Sequence, residues 1–425
     1  MAKTIQQFLS IARQTVREGL KATAAQRILL VTGNESADLD SFTSSLIFAY
    51  LTATHPTPTF KDRSYSSVIP IVNIPREEVS IRPELLFLLS TLSIPESDVI
   101  CKDEFLASLS TASENVDVVV LDHNNLLSDL GEKFSSRVVG ILDHHVDEGL
   151  HKDAEPRVIA PVGSCTTLVV SYYKDYFTSK PDTDEQAKLV SDVARLALAP
   201  IVVDTANLTS KATPEDFEAV KLLNGVLADD ALSQFTQAVE ETSVESKEDE
   251  ESSTKKSKAD PLETYFSALM NAKRSIDGLS LRDILRKDYK EWREDNGRSV
   301  GISSSVKSLK WTVEKFGAEK FREGVTKWVE ERKLDAFVFM DSYVTEAGQF
   351  RRDLFVTVCS EKGDGCVREF VKAAKKEFEL EEISGKESIK DLTVDEETGF
   401  WFWNQGNLKA SRKQVAPLIR EYMQK

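Results

Sequence analysis

Four short acid-rich clusters hold the residues able to do chemistry in this chain: Asn34-Glu35-Ser36-Ala37-Asp38-Leu39-Asp40-Ser41, Asp122-His123-Asn124, Asp143-His144-His145, and Asp204. Carboxylates and imidazoles are oxygen and nitrogen ligands. They suit hard or borderline divalent cations, with magnesium or manganese favoured by the carboxylate share. Asp38 and Asp40 stand two residues apart, a spacing that in a turn aims one carboxylate at each of two metals. Asp122 is placed to bridge them, His144 offers a neutral imidazole nitrogen, and Asp204 completes the shell. Two metals roughly 3.5–4 Å apart hold a hydroxide and clamp the oxygens of an in-line phosphoryl transfer. Coordination lowers the pKa of bound water toward neutrality, which supplies a nucleophile without a dedicated general base. Taken singly, each piece has a plainer meaning. An Asp after a strand is commonly a helix cap or turn former, and His55 and His151 read as structural or surface residues. Order and placement together favour the metal site: DxD, then DHN, then DHH, each directly after an apolar run.

Those runs are the elements that must hold the site. Residues 27–33 (RILLVTG), 116–121 (VDVVVL) and 138–142 (VVGIL) are short and β-branched, as interior parallel strands are. Ligands of open parallel α/β sheets bind beyond the carboxyl ends of the strands, so clusters distant in sequence meet at one edge. Further strands are expected at 68–74, 99–101 and 158–160, and helices over 41–52, 83–92, 164–176 and 185–203, the last delivering Asp204. The alternation predicts an α/β fold whose N-terminal part is a doubly wound parallel sheet. Gly163-Ser164-Cys165-Thr166-Thr167 opens a helix; its free N–H groups suit an anion, or it is an ordinary capped helix.

The 425 residues suggest two or three domains. Residues 239–260 are almost devoid of apolar side chains and read as an acidic, disordered linker between a domain at 1–238 and a smaller α/β domain at 261–425. In the latter, helices are expected at 262–273 and 281–292 and strands at 299–303, 336–340, 354–358 and 400–403, with a C-terminal helix after Ser411-Arg412-Lys413. A formal net charge of −16 repels polyanions at long range, so nucleic acid is not the expected partner, and any polyanionic substrate needs local metals and cations. No apolar run reaches the roughly 18 residues that span a bilayer, so no membrane partner is expected either. Four scattered cysteines without CxxC spacing point to a reduced intracellular compartment. The basic, amphipathic N-terminus reads as a first helix packed on its domain, which favours the cytoplasm; a mitochondrial presequence is the alternative. A monomer is compatible with the sequence.

These clusters also bear a family resemblance. The chain resembles the DHH phosphoesterases of the branch with a DHHA2 second domain, which includes family II inorganic pyrophosphatases, fungal exopolyphosphatases and prune-type proteins. GNESADLDS at 33–41, DHN at 122–124, DHH at 143–145 and Asp204 in VVDT are similar to its four motifs, and Ser411-Arg412-Lys413-Gln414 is similar to its SRKQ signature. The resemblance implies that Asp38, Asp40, Asp122, His144 and Asp204 hold two divalent cations, magnesium or manganese, with cobalt tolerated. It implies that His145 faces substrate and supports catalysis alongside Asp122. It implies phosphate binding by Ser411, Arg412, Lys413 and Lys273, across a cleft between the domains. Pyrophosphatases of the family begin the first motif with a histidine ligand, and here that position is Asn34, at most a weak ligand. The exopolyphosphatase and prune branches share GNE-x-x-DLDS. The implied activity is therefore release of orthophosphate from the end of inorganic polyphosphate. The alternative is a pyrophosphatase or a prune-type phosphatase of short polyphosphates or nucleotides.

Overall fold

Five apolar runs of the first half pair as one sheet: β1 (Ile28–Thr32), β2 (Ser67–Ile71), β3 (Val116–Leu121), β4 (Val138–Asp143) and β5 (Arg157–Ile159). The computed structural model of the chain describes residues 4–20, 27–109, 115–228, 231–232, 260–345, 347–383 and 389–425. All neighbouring strands run parallel, in the order β2-β1-β3-β4-β5. β1 and β3 are buried along their whole length, which is why they read as continuous apolar runs rather than alternating ones. Leu29, Val31, Val119 and Leu121 pack on one face, with side chains of helices Leu39–Thr54 and Asp184–Asp204. Ile28, Leu30, Val118 and Val120 pack on the other, with Ala12, Val16, Phe105, Leu130 and Phe134 from helices Ile5–Arg17, Lys102–Ser108 and Ser128–Phe134. Each such fully buried aliphatic side chain contributes about 1.5–3 kcal/mol of transfer free energy.

The first helix is locally well specified. Thr4 and Gln7 form a reciprocal capping box, and Ile5, Phe8, Leu9, Ala12 and Val16 are buried at helical spacing. Three expected elements differ. The strand expected at 99–101 reduces to one bridge between Val72 and Cys101, because the turn Glu96–Asp98 leads directly into it. The helix expected over 164–176 breaks at Tyr173 into Cys165–Tyr172 and Lys174–Thr178. The helix expected over 281–292 stops at Lys287, and Tyr289–Arg293 pairs as strand β6 with Ser299–Ser305, β7. Tyr289 and Trp292 favour a pleated surface once an antiparallel partner is at hand.

The chain divides into two compact units, Met1–Lys273 and Arg274–Lys425. Helix Pro261–Arg274, expected to open the second domain, instead packs Tyr265 and Leu269 into the core of the first. Tyr265 donates its hydroxyl to the Arg195 carbonyl at 3.0 Å. Composition marks where the chain turns polar; the boundary follows where the packing partner changes. The linker expected at 239–260 lies outside the described residues except for Asp260.

The second unit holds a six-stranded mixed sheet made of β6, β7, β8 (Ala336–Val344), β9 (Phe350–Val358), β10 (Leu380–Glu381) and β11 (Phe400–Gln405). Its order is β10-β11-β9-β8-β7-β6, with β7 and β8 parallel and the other pairs antiparallel. Phe337, Phe339, Phe355 and Phe402 pack on one face. Val338, Leu354, Val356 and Trp403 pack on the other with helix Arg412–Gln424. Among the described residues no helix is long and apolar enough to cross a membrane.

Candidate metal centre

The first three acid-rich clusters stand at the ends of β1, β3 and β4, three adjacent strands at the middle of the first sheet, and Asp204 ends helix Asp184–Asp204. A Cβ on Gly33 would meet Ser41 O at 2.6 Å, so glycine is what lets the first turn of helix Leu39–Thr54 close against the end of β1. Between them Ala37 adopts φ 47°. Arg82 steadies this loop by donating from Nε and Nη2 to the Ser36 carbonyl at 3.1 and 2.8 Å. Asp38 caps the helix, its Oδ1 accepting the Ser41 N–H at 3.0 Å. Asp122 leaves β3 at φ 62°, an uncommon conformation for a non-glycine residue, and its N–H is held by Leu142 O at 3.0 Å.

Asp40 is buried at the start of helix Cys165–Tyr172. Its Oδ1 accepts from Ser164 Oγ, Thr166 N–H and Thr166 Oγ1 at 2.8, 2.9 and 2.7 Å, and its Oδ2 accepts from Cys165 N–H at 2.6 Å. The helix start that suited an anion is thus filled by the protein's own carboxylate, not left open to a ligand.

Asp122 is gripped on one side only. Its Oδ2 accepts from Asn34 Nδ2 at 2.9 Å and Ser41 Oγ at 2.5 Å. Its Oδ1 is buried, makes no hydrogen bond among the described residues, and lies 3.0 Å from His144 Nε2. His144 Nδ1 sits 3.0 Å from the Val162 carbonyl, so Nδ1 carries a proton and donates it. In the neutral ring Nε2 is then a lone pair facing a carboxylate oxygen. Such a pair needs a cation, a proton or a metal ion, to hold it. Ligating histidines are oriented by this kind of carbonyl contact through the other ring nitrogen. Nε2 is also 3.9 Å from Asp40 Oδ2, and one ligand atom each from Asp122, His144 and His145 lie within 4.8 Å of one another.

Asn34 does not present its oxygen here, contrary to the weak ligand role expected of it. Its Nδ2 also donates to Asp122 O at 3.0 Å, while its Oδ1 accepts the Ser36 N–H at 2.9 Å. A flipped amide would set carbonyl against carbonyl and N–H against N–H. Asn34 therefore steadies Asp122 by donation.

Burial, then the charges of Asp122 and Asp38, push Asp40 up to about 7. Burial, then Asp40 and Asp38, push Asp204 up to about 8, with Lys273 opposing. Burial pulls His144 down, but Asp122 and Asp40 outweigh it and carry the imidazole up to about 9. Asp38, Asp40, Asp122 and Asp204 are thus close enough to strain one another electrostatically, and the centre is short of positive charge. The donor set fits hard or borderline divalent cations. A pH dependence follows. Each raised pKa contributes stability that is present below the ordinary value and is lost as pH climbs through about 7, 8 and 9. Metal-free protein should therefore lose thermal stability from about pH 5.5 to about pH 8.5, and manganese should raise Tm far more at the upper pH. Thermal unfolding with chelator or manganese checks this; an equal manganese effect at both pH values would contradict it.

His145 is placed differently. Its Nδ1 lies 2.8 Å from Asp143 Oδ1, and its side chain is 56% exposed, leaving Nε2 free to face a ligand. Asp143 is itself held by Asn124 Nδ2 at 2.5 Å. Asn124, Asp143, Ser41 and Thr166 orient the ligand-bearing residues without having been singled out, although the first two are letters of the DHN and DHH motifs. A second acidic group, Cys101, Asp103 and Glu104, is structural: Glu104 is paired with Arg13 and Arg76, and burial pushes the Cys101 thiol up to about 12.

The cationic residues fall in both units. Lys273 is exposed, and its charge acts on Asp204. In the second unit Ser411 and Gln414 form a capping box for the C-terminal helix. Arg412 donates to Asp288 O and Oδ1 at 3.0 and 2.7 Å, and Lys413 is exposed.

Residues 28–201 match the DHH family, N-terminal domain, and residues 267–422 match the DHHA2 domain. The chain is 31% identical over 422 residues to a Schizosaccharomyces pombe protein named "Putative exopolyphosphatase", covering 97% of each. It is 26% identical over 399 residues to "Exopolyphosphatase PRUNE1" of Mus musculus, covering 92% of this chain and 74% of that one. It is 22% identical over 303 residues to a "Manganese-dependent inorganic pyrophosphatase" of Methanocaldococcus jannaschii, covering 69% of this chain and 78% of that one. With both domains matched in order and similarity carried along nearly its whole length, the protein belongs to the DHH family, in the branch that bears a DHHA2 domain.

Proposed function

We propose that this chain is a metal-dependent exopolyphosphatase that hydrolyses the terminal phosphoanhydride of inorganic polyphosphate and releases orthophosphate. The observation that carries the hydrolytic site is the buried Asp122 Oδ1 beside His144 Nε2, 3.0 Å apart, a pair that in the neutral ring has no proton between them and so calls for a cation. Asp38, Asp40, Asp122, Asp204 and His144 would hold two divalent cations, magnesium or manganese. Bound there, such ions supply Lewis acidity toward phosphate oxygens and lower the pKa of water.

The remaining work falls to side chains. Asp143 holds the ring of His145 through Nδ1, so that Nε2 faces the reacting phosphate; protonated from solvent, it can hydrogen-bond that phosphate and pass its proton to the departing oxygen. Lys273 supplies a point charge, while Arg412 offers a planar fork that would exchange Asp288 for phosphate. The choice of polyphosphate rests on Asn34 and on full-length similarity to a relative named as an exopolyphosphatase.

The test is orthophosphate release from long-chain polyphosphate, tripolyphosphate, pyrophosphate and short RNA, with magnesium or manganese. Release from the polyphosphates is expected; activity confined to pyrophosphate or RNA would overturn the reading. Pyrophosphatase is the second reading, favoured by the Methanocaldococcus relative and opposed by Asn34. Replacing Asn34 by His adds an imidazole nitrogen beside Asp122. It should tighten manganese binding by about tenfold and raise pyrophosphate turnover. Metal titration and turnover matching the parent would remove Asn34 as the discriminating residue.

A further inference from the structure

Asp216 stands outside the acid-rich clusters and is fully buried, a costly place for a carboxylate. Four donors compensate it. Thr213 N–H and Thr213 Oγ1 reach Oδ2 at 2.8 and 2.9 Å, Gly163 N–H reaches the same oxygen at 2.8 Å, and Thr167 Oγ1 reaches Oδ1 at 2.6 Å. The Thr213 N–H bond is half of the capping box that starts helix Pro214–Asn224, the hydroxyl bond lies beside it, and an exposed Asp could make both equally well.

The other two bonds have another purpose. They span 53 and 49 residues of chain to the two ends of one short segment. The middle of that segment, Ser164, Cys165 and Thr166, supplies every hydrogen-bond donor to Asp40 described above. The fit around Gly163 is tight: a Cβ there would meet Asp216 Oδ2 at 2.7 Å and Thr205 Cγ2 at 2.5 Å. Thr205 directly follows Asp204. One carboxylate is thus built into the backing of two acids of the candidate centre.

We propose that Asp216 is a positioning residue that clamps segment 163–167, so that Asp40 and Asp204 are held ready for a divalent cation. The proposal rests on the metal reading above. Chelator-treated full-length protein is titrated with manganese by calorimetry. Asp216→Ala should weaken binding by about 10–100-fold, the usual effect of losing a group that orients a ligand. It should raise the manganese concentration giving half-maximal activity to match, while kcat at saturating manganese returns to within a few-fold of the parent. Asp216→Asn keeps an oxygen for Gly163 and offers an amide N–H to Thr167 Oγ1, so it should bind with intermediate affinity. Thr167→Val removes a single bond and should weaken manganese binding by less than the alanine variant. Should Asp216→Ala fail to fold, the other two variants decide. Parent-like manganese affinity in the variants, whatever their Tm, overturns the proposal and leaves the metal reading standing. A parent protein that binds no manganese overturns both.

Discussion

Asp122→Asn should lose turnover by on the order of 10³-fold or more while keeping its fold. The change is nearly isosteric. The amide oxygen still accepts from Asn34 and Ser41, and the amide nitrogen falls where Oδ1 was, 3.0 Å from His144 Nε2. There an N–H can donate to the lone pair, so the substitution satisfies the gap from within and removes the reason for a cation to enter. Loss of several kcal/mol of transition-state charge stabilisation corresponds to this size of effect, each 1.36 kcal/mol being about tenfold. Steady-state phosphate release, circular dichroism and manganese calorimetry check it together. A folded variant within about tenfold of parental activity would show that Asp122 does not hold the centre.

A different outcome is expected at the other central acid. Asp40→Ala should abolish activity as well, but it should also cost stability. Asp40 takes two N–H groups and two hydroxyls at the start of helix Cys165–Tyr172, all of them buried. Stranding these donors outweighs the relief of repulsion with Asp204, for a net loss of about 2–4 kcal/mol. For a unit of this size that lowers Tm by roughly 3–7 °C. The pair of variants would separate two uses of a carboxylate, the one proposed for Asp122 at a cation site and the further one expected of Asp40 in the fold. An Asp40→Ala protein as stable as Asp122→Asn would remove the second role.

The parts legible in the sequence are those governed by local pattern. The run at 27–33 became Ile28–Thr32, and 116–121 became β3 itself, because strands buried on both faces write their environment directly into composition. The first three clusters were legible for the same reason, each lying at the end of such a strand; Asp204 closes helix Asp184–Asp204 instead. The features that escaped depend on partners far along the chain. Nothing in residues 163–167 says that their N–H groups are spoken for by an acid 125 residues earlier. The orientation of the Asn34 amide is set by Asp122, 88 residues away. Residues 281–292 read as one helix, and pairing of Tyr289–Arg293 with β7 is what ends it at Lys287. Helix Pro261–Arg274 follows a polar stretch, and only its packing assigns it to the first unit.

The adjacency of β1, β3 and β4 has an evolutionary consequence. Neighbouring strands lie about 4.8 Å apart in every sheet, whatever their side chains. Residues mounted at the tips of three consecutive strands inherit their separation from main-chain pairing, as the Asp122 N–H on Leu142 O shows directly. The backbone acts as a gauge that mutation can hardly reset. Lineages sharing this sheet can vary side chains mounted off those strands, the cationic residues of the second unit among them, while the spacing of the three clusters stays the same.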